Sequence, residues 1–456
     1  MLRSMFFVAA LCSGLVAQQA DPRPNVVVIV TDDQRDDQLG CVGHEFLQTP
    51  ALDALAERSV RFSNAFVTTA ICAASRASIL TGAWEGTHGY TFGTPPLSAE
   101  STDRAWPQLL RDAGYRTGFV GKWGVRTQPG VAKKMWNSFQ PMRAPYLKKQ
   151  PDGSVRHLTE MAAERAVGFL RKAAAGKEPF CLMLCFNAPH AEDPNKLQYI
   201  PPPDLADLYA DVTVPPPPLA SPEFFASLPE FQQKSMNRKR WFWRFDTEAK
   251  YQKMVKNYWA MITGIDQAVA RVVAELDALG EADNTVVVFT SDNGYFLGER
   301  GFAGKWTIHE PSIRVPLLVC DPRLDPSRRG VVADQVALNV DLAPTILDLV
   351  GLAGAEDYQG ASLLPLLEGQ PPTDWRQDFF YEHRFDNREI AKSEGVRGRR
   401  WVFSRYYEQQ PVYEELYDLV ADPLQQDNLA GSPDHAGQLA RMRARCDELR
   451  EQYVAR

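Results

Sequence analysis

Two unbroken runs of β-branched and aromatic residues, Asn25-Val-Val-Val-Ile-Val30 and Thr285-Val-Val-Val-Phe-Thr290, constrain this chain more than any other feature. A strand with no polar residue at alternate positions has no face to offer water, so it belongs in the middle of a sheet covered on both sides. Parallel strands of that kind need crossover helices, and helical patterns lie between them. Pro50 after Thr49 opens a helix carrying Leu52, Leu55 and Ala56. A second helix is expected from about Thr159 to Ala175, closed by Gly176, and a third from Tyr258 to Leu279, closed by Gly280. Asp341 is expected to cap a helix from Leu342 to Val350. Val315 to Cys320 repeats the buried-strand pattern. The fold class these signals predict is α/β, a doubly wound, mostly parallel sheet with helices on both faces.

A chain of 456 residues exceeds the usual size of one domain. Residues 21–369 carry the strand and helix alternation and are expected to form one large domain. Within it, Pro201 to Pro203 and Pro215 to Pro218 mark an insertion over residues 195–250, too long for an ordinary connection. Residues 370–456 change character. Trp401-Val-Phe-Ser-Arg-Tyr-Tyr407 and Glu415-Leu-Tyr-Asp-Leu419, followed by a charged helix, predict a small C-terminal α+β unit with an antiparallel sheet. At the other end, Arg3, the apolar run Ser4 to Ala17 and the small residues around Ala17 have the layout of a cleaved signal peptide over residues 1–20. The mature chain then starts near Gln18 to Asp21, in a periplasmic or secreted location.

Some partners are excluded early. The net charge of −7 offers no broad attraction to nucleic acid, and no mature segment is long and apolar enough to span a membrane. The cysteines that remain after Cys12 is removed show no zinc-type spacing and are too sparse for a disulfide scaffold. Cys181 and Cys185 fall on one face of an apolar strand, where packing is their default role. Cys72 precedes a helical pattern that carries Arg76 one turn along, so it sits in a positive field. In isolation it reads as a small buried residue or as a thiol nucleophile.

Both buried strands end in acid-rich turns, Thr31-Asp32-Asp33-Gln34 and Ser291-Asp292-Asn293-Gly294. Ligands of open α/β sheets sit beyond the carboxyl ends of strands, so the two turns can face one crevice. Three carboxylates gathered there repel unless a cation lies between them. With the Asn293 amide oxygen, they suit Ca2+ or Mg2+ better than zinc. Each Asp can equally serve as a plain turn or helix cap.

Here the sequence resembles the sulfatase family of the alkaline-phosphatase-like superfamily. The family motif Cys-x-Pro-Ser-Arg followed by Thr-Gly is matched by Cys72, Ser75, Arg76, Thr81 and Gly82. The likeness continues through Thr87-His88-Gly89, Gly114-Tyr115, Gly121-Lys122-Trp123, Asn187-Ala188-Pro189-His190, Gly304-Lys305-Trp306, Asp341-Leu-Ala-Pro-Thr345 and Glu415-Leu-Tyr-Asp-Leu419. It spans nearly the whole mature chain in the family's order. The resemblance implies a sulfuric ester hydrolase whose Cys72 is oxidised by a formylglycine-generating maturation enzyme, the hydrated aldehyde supplying the nucleophile. It implies one Ca2+ held by Asp32, Asp33, Asp292 and Asn293 and touching residue 72. Arg76, Lys122 and Lys305 would neutralise the sulfate, and His190 would protonate the leaving oxygen, with Lys122, His190 and Lys305 also binding substrate. His383, in the C-terminal unit, is a further candidate for substrate contact.

Two positions depart from the family pattern: Ala74 stands where the family has Pro, and Gly124 where it has a His that acts on the nucleophile. The expected substrate is a sulfated small molecule or polysaccharide, with a sulfated carbohydrate preferred. The rival readings are a phosphodiesterase or phosphonate monoester hydrolase of the same superfamily, and a catalytically silent sulfate-binding relative. The segment Arg238-Lys-Arg-Trp-Phe-Trp-Arg244 reads either as a basic and aromatic wall for a sulfated sugar or as packing under a loop.

Overall fold

The computed structural model describes residues 23–454; the expected signal peptide lies outside them. Eight strands form the main sheet: β1 (Asn25–Asp32), β2 (Val60–Phe66), β3 (Arg116–Gly121), β4 (Ser138–Pro141), β5 (Phe180–Pro189), β6 (Thr285–Ser291), β7 (Leu317–Cys320) and β8 (Val332–Leu338). Their order is β8-β2-β7-β6-β1-β5-β3-β4. The expected doubly wound α/β architecture is present, with one refinement. β7 runs antiparallel to both its neighbours, while the other pairings are parallel. An apolar run carries no sign of strand direction, so the sequence could not report this reversal.

β1 lies at the centre, paired with β5 and β6, and every one of its side chains is buried. Its alternation divides the molecule. Val26, Val28 and Val30 enter one hydrophobic core, and Val27 and Ile29 enter a second on the opposite face. The second core packs against helices α1 (Pro50–Ala56), α3 (Leu158–Ala174) and α5 (Glu248–Ala278). The first packs against α2 (Cys72–Thr81), α6 (Leu342–Leu349) and the terminal helix α7 (Ala436–Tyr453). Cys181 and Cys185 both face this first core, as their two-residue periodicity implies.

The C-terminal segment forms a four-stranded antiparallel meander, β9 (Asp378–His383), β10 (Ser393–Gly398), β11 (Trp401–Tyr406) and β12 (Tyr413–Asp418). Phe379, Phe380, Val396, Val402, Phe403 and Leu416 join the first core, so this sheet shares its apolar interior with the large one.

Three local expectations need correction. The long helix α5 begins at Glu248, ten residues before the expected Tyr258, because the Thr247 side chain accepts the Lys250 N–H and caps it there. The Pro-rich segment contains helices as well as loop, including α4 (Met236–Arg244), capped by Ser235 through the Arg238 N–H. Asp341 occupies the N-cap position of α6 but does not cap it. Its carboxylate turns back to accept the Leu338 and Ala361 N–H groups at 2.8 Å and to pair with Arg376.

Behind the segment that leads into α2, two carboxyls share a buried site. Glu85 accepts the Thr69 hydroxyl at 2.7 Å, and Glu382 accepts the Gly86 N–H at 2.6 Å with Arg384 3.5 Å away. Burial pushes both above the ordinary carboxyl range, with the charge of Glu382 adding to it at Glu85 and that of Glu394 at Glu382. The folded chain therefore keeps protons that the unfolded chain has lost, and stability falls as pH rises between roughly pH 5 and pH 8. Glu382→Gln removes one raised carboxyl, so the drop in Tm across that window is expected to shrink; an unchanged slope in thermal melts would overturn the assignment.

Candidate active site

β1 and β6 are adjacent and in register, Thr31 opposite Ser291, so the acid turns that follow them emerge at the same level. The Asp292 N–H donates to the Thr31 carbonyl at 3.1 Å, and the Gln34 N–H donates to the Ser291 hydroxyl at 3.0 Å, stitching one turn to the other. Asp33 adopts a left-handed conformation, φ +67°, which is costly for a residue with a Cβ. It is held there from three sides. Tyr258 of α5 donates its hydroxyl to the Asp33 carbonyl at 2.8 Å, Asn293 donates its amide to Oδ1 at 2.6 Å, and the Asp33 N–H reaches Asp292 Oδ1 at 3.3 Å.

Helix α2 is buried along its whole length, and Cys72 is its first residue. The Cys72 Sγ and one carboxylate oxygen each of Asp32 and Asp292 lie within 4.8 Å of one another. Arg76, one turn along, donates Nε to Asp292 Oδ2 at 2.7 Å and Nη1 to the Lys122 carbonyl at 2.7 Å. The polar residues of this buried helix are also engaged. Ser75 accepts from Asn339 at 3.0 Å, and Ser78 lies 3.1 Å from a His88 ring nitrogen.

Lys122 arrives through a glycine. A Cβ at Gly121, φ +106°, would fall 1.9 Å from the Cys185 carbonyl oxygen. That close approach lets the Lys122 N–H donate to the same carbonyl at 2.8 Å as β3 ends beside β5. The Lys122 ammonium pairs with Asp32, and that of Lys305 with Asp33. His190 follows β5. Its Nδ1 is 2.6 Å from the Ala191 carbonyl, so Nδ1 carries the hydrogen, and Nε2 lies 3.7 Å from Asp33 Oδ2.

These charges set one another. Burial opposes ionisation of Asp32, but Lys122, His190, Arg76 and Lys305 overcome it and hold the carboxyl well below its ordinary range. Asp292 is pushed up to about 6 by burial and by Asp32, with Arg76 and the lysines opposing. Burial pushes the Cys72 thiol up, despite the two lysines, so an unmodified thiolate is disfavoured here. Burial lowers His190, against the pull of Asp33 and Asp32.

The donor set fits a hard divalent cation. Asp32 Oδ1 and Asn293 Oδ1 are buried acceptors with no hydrogen-bond partner, the first on a side chain beside Cys72 and the second on one bonded to Asp33. Buried oxygens of this kind are normally satisfied, and a Ca2+ or Mg2+ ion satisfies several at once.

The structure thus brings together Asp32, Asp33, Cys72, Arg76, Lys122, His190, Asp292, Asn293 and Lys305. His383 is not among them. It lies on β9 with no exposed surface, neither ring nitrogen has a partner, and burial alone pushes it down to about 3. No hydrogen bond or ion pair among the described residues links it to the cluster. The basic and aromatic helix α4 divides its roles. Arg244 is fully buried and pairs with Asp193, and Arg240 pairs with Asp193 at 2.6 Å and lies over the Trp306 ring. Arg238 stacks on Phe225 and Trp241 at 3.8 Å. Packing thus takes the arginines and Trp241, whereas Phe242 and Trp243, expected under the loop, are exposed at 51% and 44%. Asp193, which neutralises this wall three residues beyond His190, had no distinguishing signal in the sequence.

On the other side, a cleft of about 640 Å³ starts at Ala73, Lys122 and Asn187 and passes Gly124. Gly124 has φ +71°, and a Cβ there would sit 3.0 Å from Arg76 Cδ and 3.8 Å from Lys122 Cε.

Comparison with known proteins identifies the family of the chain. A family model described as Sulfatase matches residues 24–352, and one described as N-sulphoglucosamine sulphohydrolase, C-terminal, matches residues 298–452. The chain is 27% identical to the N-acetylglucosamine-6-O-sulfatase of Bacteroides thetaiotaomicron, covering 94% of this chain and 87% of that protein. It is 28% identical to the N-acetylglucosamine-6-sulfatase of Homo sapiens, covering 94% and 85%. A protein solved in complex with its substrate D-glucosamine-2-N,6-O-disulfate superposes with a TM-score of 0.80 at 25% identity, covering 94% of this chain and 98% of that one. The phosphonate monoester hydrolase SpPMH from Silicibacter pomeroyi superposes with a TM-score of 0.79 at 25% identity, covering 94% and 96%.

Gly124 bears a direct test. Any side chain there adopts a left-handed conformation and presses on Arg76, so Gly124→Ala and Gly124→His are each expected to cost about 1–3 kcal/mol in denaturant unfolding. A Gly124→His variant as stable as the parent would show that the position tolerates a side chain.

Proposed function

Because the chain belongs to the sulfatase family and hydrolyses sulfate esters, we propose that its substrate is a sulfated carbohydrate, cleaved with a formylglycine derived from Cys72 and a bound Ca2+ ion. One observation carries this reading. Residue 72, three carboxylates, two lysines and a histidine from strands and loops far apart in sequence converge on one buried pocket. The preference for a sugar is supported by relatives whose names place their sulfate on N-acetylglucosamine.

Asp32, Asp33, Asp292 and Asn293 would hold the Ca2+ ion, which would supply Lewis-acid charge, and a formylglycine at position 72 would supply the nucleophile at the head of α2. The chain's own side chains do the rest. The Lys122 and Lys305 ammoniums, fixed by Asp32 and Asp33, meet the charge that grows on the sulfate oxygens. Arg76 anchors Asp292 and ties α2 to the Lys122 backbone. His190, whose Nδ1–H is committed to the Ala191 carbonyl, holds Nε2 beside Asp33; as the imidazolium it gives the Nε2 proton to the leaving oxygen and is left as the neutral Nδ1–H ring. Gly124, which stands in place of the family histidine, lines the cleft and has no group to transfer a proton.

Two features of the sequence complete the proposal. The layout of residues 1–20 supports export to the periplasm or outside the cell. Cys72-Ala-Ala-Ser-Arg76 is the segment a formylglycine-generating enzyme would act on, with Ala74 in place of Pro. A second reading, phosphonate or phosphate ester hydrolysis, is favoured by the near-equal likeness to SpPMH.

Peptide mass spectrometry across Cys72 on protein from its native host is expected to find the aldehyde. Oxidised, Ca2+-loaded enzyme is expected to cleave aryl sulfates faster than matched aryl phosphates and phosphonates. His190→Ala should lose about 10²–10⁴ in rate, and chelation followed by Ca2+ should remove and restore activity. Faster phosphonate cleavage would establish the second reading. Binding of sulfated sugars with no turnover would establish a silent relative.

A further inference from the structure

We propose that the cleft beyond Gly124 is a subsite for a second anionic group of the substrate, a carboxylate or sulfate on a neighbouring sugar, gripped by Arg126 and Arg143. This rests on the sulfated-carbohydrate reading and deepens it: the substrate class becomes an acidic oligosaccharide.

The cleft is continuous with the site, since Ala73, Lys122 and Asn187 line its inner end, and Gly124 leaves the passage open. Its outer end carries Arg126 and Arg143, and no carboxylate lines it anywhere. Lys122 is already neutralised by Asp32, so the uncompensated charge belongs to the two arginines. Among the described residues Arg143 has no hydrogen bond or ion pair, and the Arg126 guanidinium reaches only the Gly93 carbonyl, at 3.4 Å. The Arg126 backbone is nonetheless fixed. Its N–H donates to the Tyr90 hydroxyl at 2.9 Å, and its carbonyl accepts from Leu97 at 2.8 Å.

The opposite wall is different. There Asp193 pairs with both Arg240 and Arg244, leaving no spare positive charge for a ligand. Unpaired guanidinium forks match carboxylate and sulfate oxygens two at a time. Phe92, 51% exposed, and Trp123 line the same cleft and offer flat apolar surface for the face of a sugar ring.

The test uses the full-length matured enzyme and the Arg126→Ala, Arg143→Ala and double variants. Substrates are 4-nitrophenyl sulfate, a neutral monosulfated disaccharide, a disulfated disaccharide and a monosulfated disaccharide bearing a uronate. For the last two, the double variant should lose about tenfold or more in kcat/KM, mainly through KM, because it removes charge-assisted hydrogen bonds. Activity on the first two should stay within about twofold, because neither reaches the arginines with a second anion. Loss confined to the disulfated or to the uronate compound identifies which group the subsite takes. Equal loss on all four substrates, or no loss on any, overturns the subsite. If the wild type cleaves no sulfate ester, the functional reading has failed separately. Calorimetric titration of Cys72→Ala protein, with and without the two arginine changes, then reads the subsite without turnover; equal affinity for the dianionic disaccharides overturns it.

Discussion

The Arg76–Asp292 pair is the interaction on which the site depends. Both side chains are essentially out of water, at 1% and 0% exposure, so neither charge can be left without the other. Breaking such a pair from one side generally costs about 3–5 kcal/mol, because the remaining ion stays buried and uncompensated. The consequence is geometric as well as energetic. Arg76 fixes α2, and with it residue 72, to the end of β6, and its second donor fixes α2 to the loop after β3. The Lys122–Asp32 and Lys305–Asp33 pairs repeat the device, so carboxylates and cations alternate through a pocket that burial would otherwise make untenable.

Around that centre the mouth of the site is asymmetric. The α4 side is closed by its own chemistry, with Asp193 consuming the charge of Arg240 and Arg244 and Trp306 covered by the Arg240 guanidinium. The Gly124 side stays open and positively charged. One residue contributes to both properties. Gly124 lines the open cleft without a side chain, and one there would press on Arg76.

The rest of the fold supplies rigidity. The alternation of β1 between two cores clamps the strand that carries Asp32 from above and below. The C-terminal sheet adds to the first core. Its buried His383 and the acid pair formed by Glu382 with Glu85 lie behind the segment entering α2 and serve the interior rather than the substrate.

The sequence by itself determined the central strands, since unbroken β-branched runs have no solution but a doubly covered sheet. It also determined the acid turns that follow them and the cysteine at a helix start. Those signals are local, and each is carried by neighbouring residues. Tertiary structure alone decided the reversed direction of β7 and the turning of Asp341 away from its helix, because each depends on a partner distant in the chain; the early start of α5 rests on a local cap, Thr247 accepting the Lys250 N–H. It also decided which charges remain unpaired. Arg244 and Arg143 are the same residue type, yet one is buried against Asp193 and the other faces an acid-free cleft. A side chain's charge is written in the sequence, but whether it is neutralised is set by what the fold places within a few ångströms of it.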